Sequence, residues 1–195
     1  GNILGPEQHG HIAAVGFEMY CKMVAEEMEN GISGEPREAL PERDALQLDL
    51  GINAFIPDGY LPDSEIKIEI YKKIAAISSR EEKESLISEV EDRFCKMPQS
   101  VANLFAIGEI KWLATGLLIR SMVCNNLGLN IRFFDDHKIE GSTLVQLADK
   151  YGNLVKFNRK KGFSILLRLS NLPDKIKLEA ITNFLQDLLA MQCEK

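Results

Sequence analysis

Apolar residues change their spacing several times along the chain, and each change marks an element. From His11 to about Asn30 they recur at helical steps: Ile12, Val15, Met19 and Met23, with Tyr20 and Val24 widening the stripe. Gly31 and Gly34 stop this helix, Pro36 follows, and residues 31–43, rich in Gly, Pro and charge, predict a linker. From Ala45 to Leu50 the period falls to two, with Leu46, Leu48 and Leu50 set against Gln47 and Asp49, the pattern of a half-buried strand. Phe55 to Pro62 holds two prolines and Asp58-Gly59 and predicts an extended, turn-rich segment.

Helical spacing then returns three times. Asp63-Ser64 offers an N-cap before Ile66, Ile70, Ile74 and Ile77. From about Arg80 to Cys95 the stripe is Leu86, Ile87, Val90 and Phe94. Pro98 predicts the start of a third helix, running through Val101, Leu104, Phe105, Ile107, Ile110 and Leu113 to about Thr115, with Gly116 as its stop.

The back half reads as two hairpins and two helices. Leu118 to Cys124 and Leu129 to Phe134 flank Asn125-Asn126-Leu127-Gly128, and Leu154 to Phe157 and Phe163 to Leu169 flank residues 158–162. Between them Ser142 predicts the cap of a short helix to about Tyr151. After them Pro173-Asp174 opens a last helix with Ile181, Leu185, Leu188 and Met191 on one face. The sum is an α+β fold, helices packed on a small, mostly antiparallel sheet, preceded by a detached helical segment. Two regions follow: residues 1–36, and a domain over 44–195.

With 195 residues, 45% hydrophobic and 27% charged, the chain has the means for a real core. No apolar run approaches the ~18 residues a membrane span needs, and Gly1 to Gly10 lacks the basic and apolar regions of a signal peptide. The chain starts at Gly1 with its first methionine at Met19, the expectation for a piece of a longer protein. The net charge of −6 argues against a dedicated nucleic-acid binder. Its distribution says more: −5 over residues 1–36, −5 over 37–97 and +4 over 98–195, so the two halves offer different surfaces. Cys21, Cys95, Cys124 and Cys193 are too far apart in sequence for zinc-type pairs and read as scattered reduced thiols.

Candidate chemistry is sparse. Gly5-x-x-x-x-Gly10 has phosphate-loop spacing, but His11 and Ile12 stand where Lys and Ser/Thr are required. His9 and His11 lack a third metal ligand at useful spacing, and His137 follows Asp135-Asp136 in a turn that reads as a solvated charge cluster. No catalytic triad or metal site assembles from the motifs. Two surface clusters remain. Glu89, Asp92 and Arg93, at i, i+3 and i+4, share one helix face, read from spacing alone as solvated. Lys156, Arg159, Lys160 and Lys161 gather at a hairpin flanked by Phe157 and Phe163, where a phosphate backbone could be touched.

Two blocks carry a family resemblance. The run Gly1-Asn2-Ile3-Leu4-Gly5-Pro6-Glu7-Gln8-His9-Gly10-His11 resembles the end of the translocation motif shared by transcription-repair coupling factors and RecG-type helicases. Ala14-Val15-Gly16-Phe17-Glu18-Met19-Tyr20 and the block Asp49 to Asp63 (DLGINAFIPDGYLPD) resemble the coupling factors in particular, as do Ile70 to Ala75 and Asp92-Arg93-Phe94 to Pro98. The likeness is sharp to about residue 115.

The resemblance implies a parent that is a cytoplasmic, ATP-driven translocase on double-stranded DNA. It would release stalled RNA polymerase and recruit the excision-repair protein UvrA. ATP and magnesium would belong to motor lobes outside this chain, which would hold no cofactor and hydrolyse nothing alone. Gln8 matches the motif's glutamine. Residues 44–195 would form a regulatory domain that folds back on the protein's own N-terminal UvrA-binding module. The masking contacts map onto Glu89, Asp92 and Arg93. Cys95 departs from a frequent glycine after Arg-Phe, which puts the end of that helix in question.

Overall fold

Asp63 starts the first helix: its side chain accepts hydrogen bonds from the backbone N–H of Glu65 and Ile66, both at 3.0 Å. The computed structural model describes residues 46–169 and 171–193. In chain order these hold β1 (Gln47–Asp49), α1 (Ser64–Ala75), α2 (Arg80–Phe94), α3 (Gln99–Gly116), β2 (Ile119–Asn125), β3 (Gly128–Phe133), α4 (Gly141–Tyr151), β4 (Val155–Asn158), β5 (Ser164–Leu167) and α5 (Asp174–Cys193). The helix expected over residues 11–30 and the linker after it lie outside the described residues.

The sheet order is β1-β2-β3-β5-β4. β1 runs parallel to β2, and every other pair is antiparallel. A parallel pair needs a long crossover, and α1, α2 and α3 supply it. Register puts Leu48, Met122, Ile131, Ile165 and Phe157 in one row across all five strands, on the face that meets the helices. The next row, Asp49, Val123, Asn130, Leu166 and Lys156, points the other way and stays half-buried or exposed. The period-two alternation therefore sets which face is core.

Alternation continues past β1 without a strand partner. Leu50, Ile52, Ala54 and Ile56 are buried, while Gly51 and Asn53 are exposed. This segment leaves the sheet, so its polar backbone groups find other partners. Lys177 donates to the Leu50 carbonyl at 2.7 Å, Asn103 to that of Asn53 at 2.8 Å, Phe55 N–H reaches Ser100 at 3.2 Å, and Ile56 N–H reaches the Tyr71 hydroxyl at 2.9 Å.

α3 is apolar nearly all round because it is the central helix: α5, β2, α1 and α2 all pack on it. Val101, Leu104, Phe105 and Ile110 are almost fully buried, each worth about 1.5–3 kcal/mol relative to exposure. In the β2–β3 turn, Gly128 has φ +136°, and a Cβ there would sit 2.3 Å from the Leu167 carbonyl oxygen. Only glycine lets β3 approach β5 so closely.

Some ends differ from the sequence expectation. Pro98 is the N-cap of α3 rather than its first residue, and Gly116 is its last helical residue. α4 begins at Gly141 because the extended Glu140 already offers its carbonyl to Leu144 N–H; Ser142 lies inside the helix and is not the cap. Leu154 belongs to a single 3-10 turn, so β4 starts at Val155. β5 spans only Ser164–Leu167.

Candidate functional site

α2 is amphipathic, and its outer face carries the charge cluster. Ser79 caps it, accepting from Glu82 N–H at 3.1 Å, while the Glu82 carboxylate returns to Ser78 N–H at 2.8 Å. Leu86 and Val90 turn inward and are buried; Ile87 and Phe94 are half-buried at the margin. Glu89, Asp92 and Arg93 are all exposed on the outside.

The cluster is tied to its surroundings. Arg93 lies 3.4 Å from Glu89, and Lys73, reaching over from α1, lies 2.9 Å from the same carboxylate oxygen. Lys73 also meets Glu69 at 3.0 Å. The hydrogen bond from Lys73 is the main reason the Glu89 carboxyl ionises more readily than usual, and the bond to Glu89 raises the Lys73 ammonium in turn. The Arg93 guanidinium covers the Phe94 ring at 4.9 Å, and Tyr60 meets that ring edge-on at 6.4 Å. The Tyr60 hydroxyl donates to the Cys95 carbonyl at 2.9 Å.

Cys95 ends the helix at φ 70°, ψ −175°, a backbone region that belongs to glycine. The helix end that the departure from glycine put in question is still reached, at a backbone conformation strained for a residue with a side chain. Cys95 and Cys193 are exposed and Cys124 is half-buried, all as free thiols; Cys21 lies outside the described residues.

Lys156, Arg159, Lys160 and Lys161 are exposed on edge strand β4 and the connection after it. Asn158 accepts from Lys160 N–H at 2.9 Å, Gly162 turns the chain at φ +85°, and Arg132 donates to the Lys161 carbonyl at 3.0 Å. Arg132 thereby joins the hairpin from β3, a neighbour that only the strand pairing reveals. His137 is not part of a solvated charge cluster. Its ring lies 4.8 Å from Phe163 and 5.9 Å from Phe133, and its Nδ1 accepts from Ile139 N–H at 3.2 Å. Gln8, His9 and His11 lie outside the described residues.

The more buried charges hold the fold together. Glu109, 3% exposed, takes Lys83 from α2 and Gln186 from α5, the latter at 3.2 Å. It sits under an open groove of about 400 Å³ between these helices. Lys67, 2% exposed, reaches Asp58 and anchors the loop that carries Tyr60. The ties from Lys73 to Glu89, from Lys83 to Glu109 and from Lys67 to Asp58 escape a reading of local spacing, because each joins two different elements. Among the described residues, no group of three His, Cys, Asp or Glu side chains could hold a metal, and no helix is long and apolar enough to cross a membrane.

The TRCF domain family matches residues 50–144, which run from the end of β1 through α1, α2 and α3 into α4. The chain is 29% identical over 181 residues to the transcription-repair-coupling factor of Borreliella burgdorferi, and 31% identical over 189 residues to that of Rickettsia prowazekii. These alignments cover 93% and 97% of this chain. A crystal structure of the C-terminal domain of a transcription-repair coupling factor superposes with a TM-score of 0.72 at 28% identity, covering 80% of this chain and 99% of that one. The chain belongs to the transcription-repair coupling factor family. The α+β architecture is that of the TRCF C-terminal domain. The chain spans about 16% of the length of these two curated relatives.

Proposed function

We propose that the domain is the regulatory lock of a cytoplasmic, ATP-driven translocase on double-stranded DNA, one that releases stalled RNA polymerase and recruits UvrA. In this reading Gln8 closes the translocation motif of the motor. Residues 44–195 fold back on the protein's own N-terminal UvrA-binding module. ATP and magnesium belong to the motor lobes, and the part played by this chain is to hold the closed state.

The observation that carries the reading is the outer face of α2. Glu89, Asp92 and Arg93 stand exposed together on a helix whose inner face is fixed in the core, with Lys73 and Phe94 beside them. Mixed charge on a rigid helix steers encounter and sets register. A closed-to-open ratio near 99:1 needs only about 2.7 kcal/mol, which a few such contacts and the apolar area around them supply. Polymerase engagement would favour the open state through its own differential contacts.

The test is DNA-free ATP hydrolysis by the full-length protein, wild type against Glu89→Ala/Asp92→Ala/Arg93→Ala, together with UvrA capture. A rise in both is expected. No change in either contradicts the lock.

A second reading draws on the exposure of Lys156, Arg159, Lys160 and Lys161 beside Arg132: contact with a nucleic-acid backbone. Titration of duplex DNA with this chain at rising salt tests it. About four phosphate contacts predict a slope near −3.6 in log K against log salt, and absence of binding at low salt rules it out.

A further inference from the structure

Two cations of the chain compete for one oxygen. Glu89 Oε1 takes the Lys73 ammonium at 2.9 Å and the Arg93 guanidinium at 3.4 Å. The shorter contact comes from the neighbouring helix and the longer from one turn along the same helix. A charge-assisted bond to a guanidinium normally closes to ~2.7–2.9 Å, so Arg93 is only loosely held. Its guanidinium lies over Phe94 instead, and the side chain is 42% exposed.

A Glu four residues before an Arg is a favourable arrangement for an ion pair along a helix. With nothing else at Glu89, that pair would be free to tighten and draw Arg93 along its own helix. Lys73 stands where it prevents this.

We propose that Lys73 is a positioning residue of the docking face: it holds Glu89 toward α1 and so leaves Arg93 on Phe94, open to the docking partner beside Asp92. The inference rests on the reading of α2 as a docking face. An exposed pair of this kind adds little to stability. Its effect is on where the charges stand, and therefore on the register of the interface. The charges that act on Glu89 are Lys73 from α1 and Arg93 from α2, and Glu69 holds Lys73 from its own helix. The lowered Glu89 and raised Lys73 agree with a persistent contact between them.

The experiment uses the full-length protein, with DNA-free ATP hydrolysis and UvrA capture as readouts and Asp92→Ala as the reference. Lys73→Gln is expected to raise both by about 2- to 5-fold, the size of one exposed charge contact. Lys73→Arg is expected to restore the resting level. In a Glu89→Gln background Lys73→Gln should add nothing, because the group it positions is gone. Unfolding of this chain with Lys73→Gln should match wild type, which separates positioning from damage to the fold. If Asp92→Ala opens the protein and Lys73→Gln does not, the inference fails and the docking reading stands. If Lys73→Gln keeps its full effect in the Glu89→Gln background, Lys73 touches the partner directly and the positioning role is overturned. If Asp92→Ala itself changes neither readout, the docking reading falls and takes this inference with it.

Discussion

Tyr60 and Cys95, 35 residues apart in sequence, are joined by one hydrogen bond: the phenol donates at 2.9 Å to the Cys95 carbonyl. That bond fixes the carbonyl of a residue whose backbone, at φ 70° and ψ −175°, lies where only glycine rests without strain. The charged face of α2 thus ends on a strained residue held by a loop, and Lys67 anchors the loop from below through Asp58.

Removing the side chain at Cys95 relieves the strain. Such backbone strain costs of order 1–3 kcal/mol, and glycine returns part of this through the entropy of the unfolded chain. Cys95→Gly is therefore expected to stabilise the domain by about 1 kcal/mol, raising Tm by roughly 2–4 °C in thermal unfolding. Cys95→Ala, which keeps a Cβ, should give no such gain. A lower Tm for Cys95→Gly contradicts the strain.

Glu109 links three helices through one buried carboxylate. Lys83→Met leaves that carboxylate without its counter-charge. Discounted for the 22% exposure of Lys83, the loss should be about 1–3 kcal/mol in denaturant unfolding. Glu109→Gln/Lys83→Met removes both charges and should recover part of it. Equal destabilisation by single and double variants would show that the charge pairing is unimportant.

Asp187 sets an acid limit on the α4–α5 contact. Burial raises its carboxyl, but hydrogen bonds from Tyr151 and Lys150 outweigh burial, and the net shift is downward. A lowered folded-state pKa means stability that is present above the unfolded value, about 3.9, and lost as pH falls through the folded value. Asp187→Asn should lower stability at neutral pH and flatten its decline below pH 4. Tyr151 acts at the other end: burial first, then the bond to Asp187, holds its hydroxyl protonated well beyond the ordinary range. Its contribution should fade only as pH rises past about 10, where an unfolded tyrosine ionises. Identical pH profiles for wild type and Asp187→Asn contradict this account.

Gly128 offers a check on the sheet. Gly128→Ala forces a Cβ toward the Leu167 carbonyl at a positive φ, and either term alone is costly. A loss of about 2–4 kcal/mol is expected in denaturant unfolding. A neutral result would mean that β3 and β5 separate at that end at little cost.

Much of this was legible in the residues. Leu46, Leu48 and Leu50 announce β1, Asp63 caps α1 as its type allows, and Leu86 and Val90 mark the inner face of α2. What alternation does not encode is the partner, so the parallel pairing of β1 with β2 was out of reach. Ile52, Ala54 and Ile56 keep a strand's period in a segment that bonds to helices instead, because burial on one side is all that the period records. Ser142 looks like a cap, yet Glu140 takes that place and the helix begins two residues sooner. In the candidate site, the Glu89, Asp92 and Arg93 spacing gave a shared face, while its ties to Lys73, Tyr60 and Phe94 needed the packing of α1 and the Asp58 loop. Arg132 joined the basic hairpin for the same reason: strand register, not spacing, made them neighbours.

The central claim is that the outer face of α2 is covered in the resting full-length protein. Hydrogen exchange over residues 80–94, compared between that protein and this chain alone, tests it most directly. The account predicts slower exchange at the α2 amides in the full-length protein, returning to the rate of the isolated chain with Asp92→Ala. Equal exchange in the two wild-type proteins would contradict it.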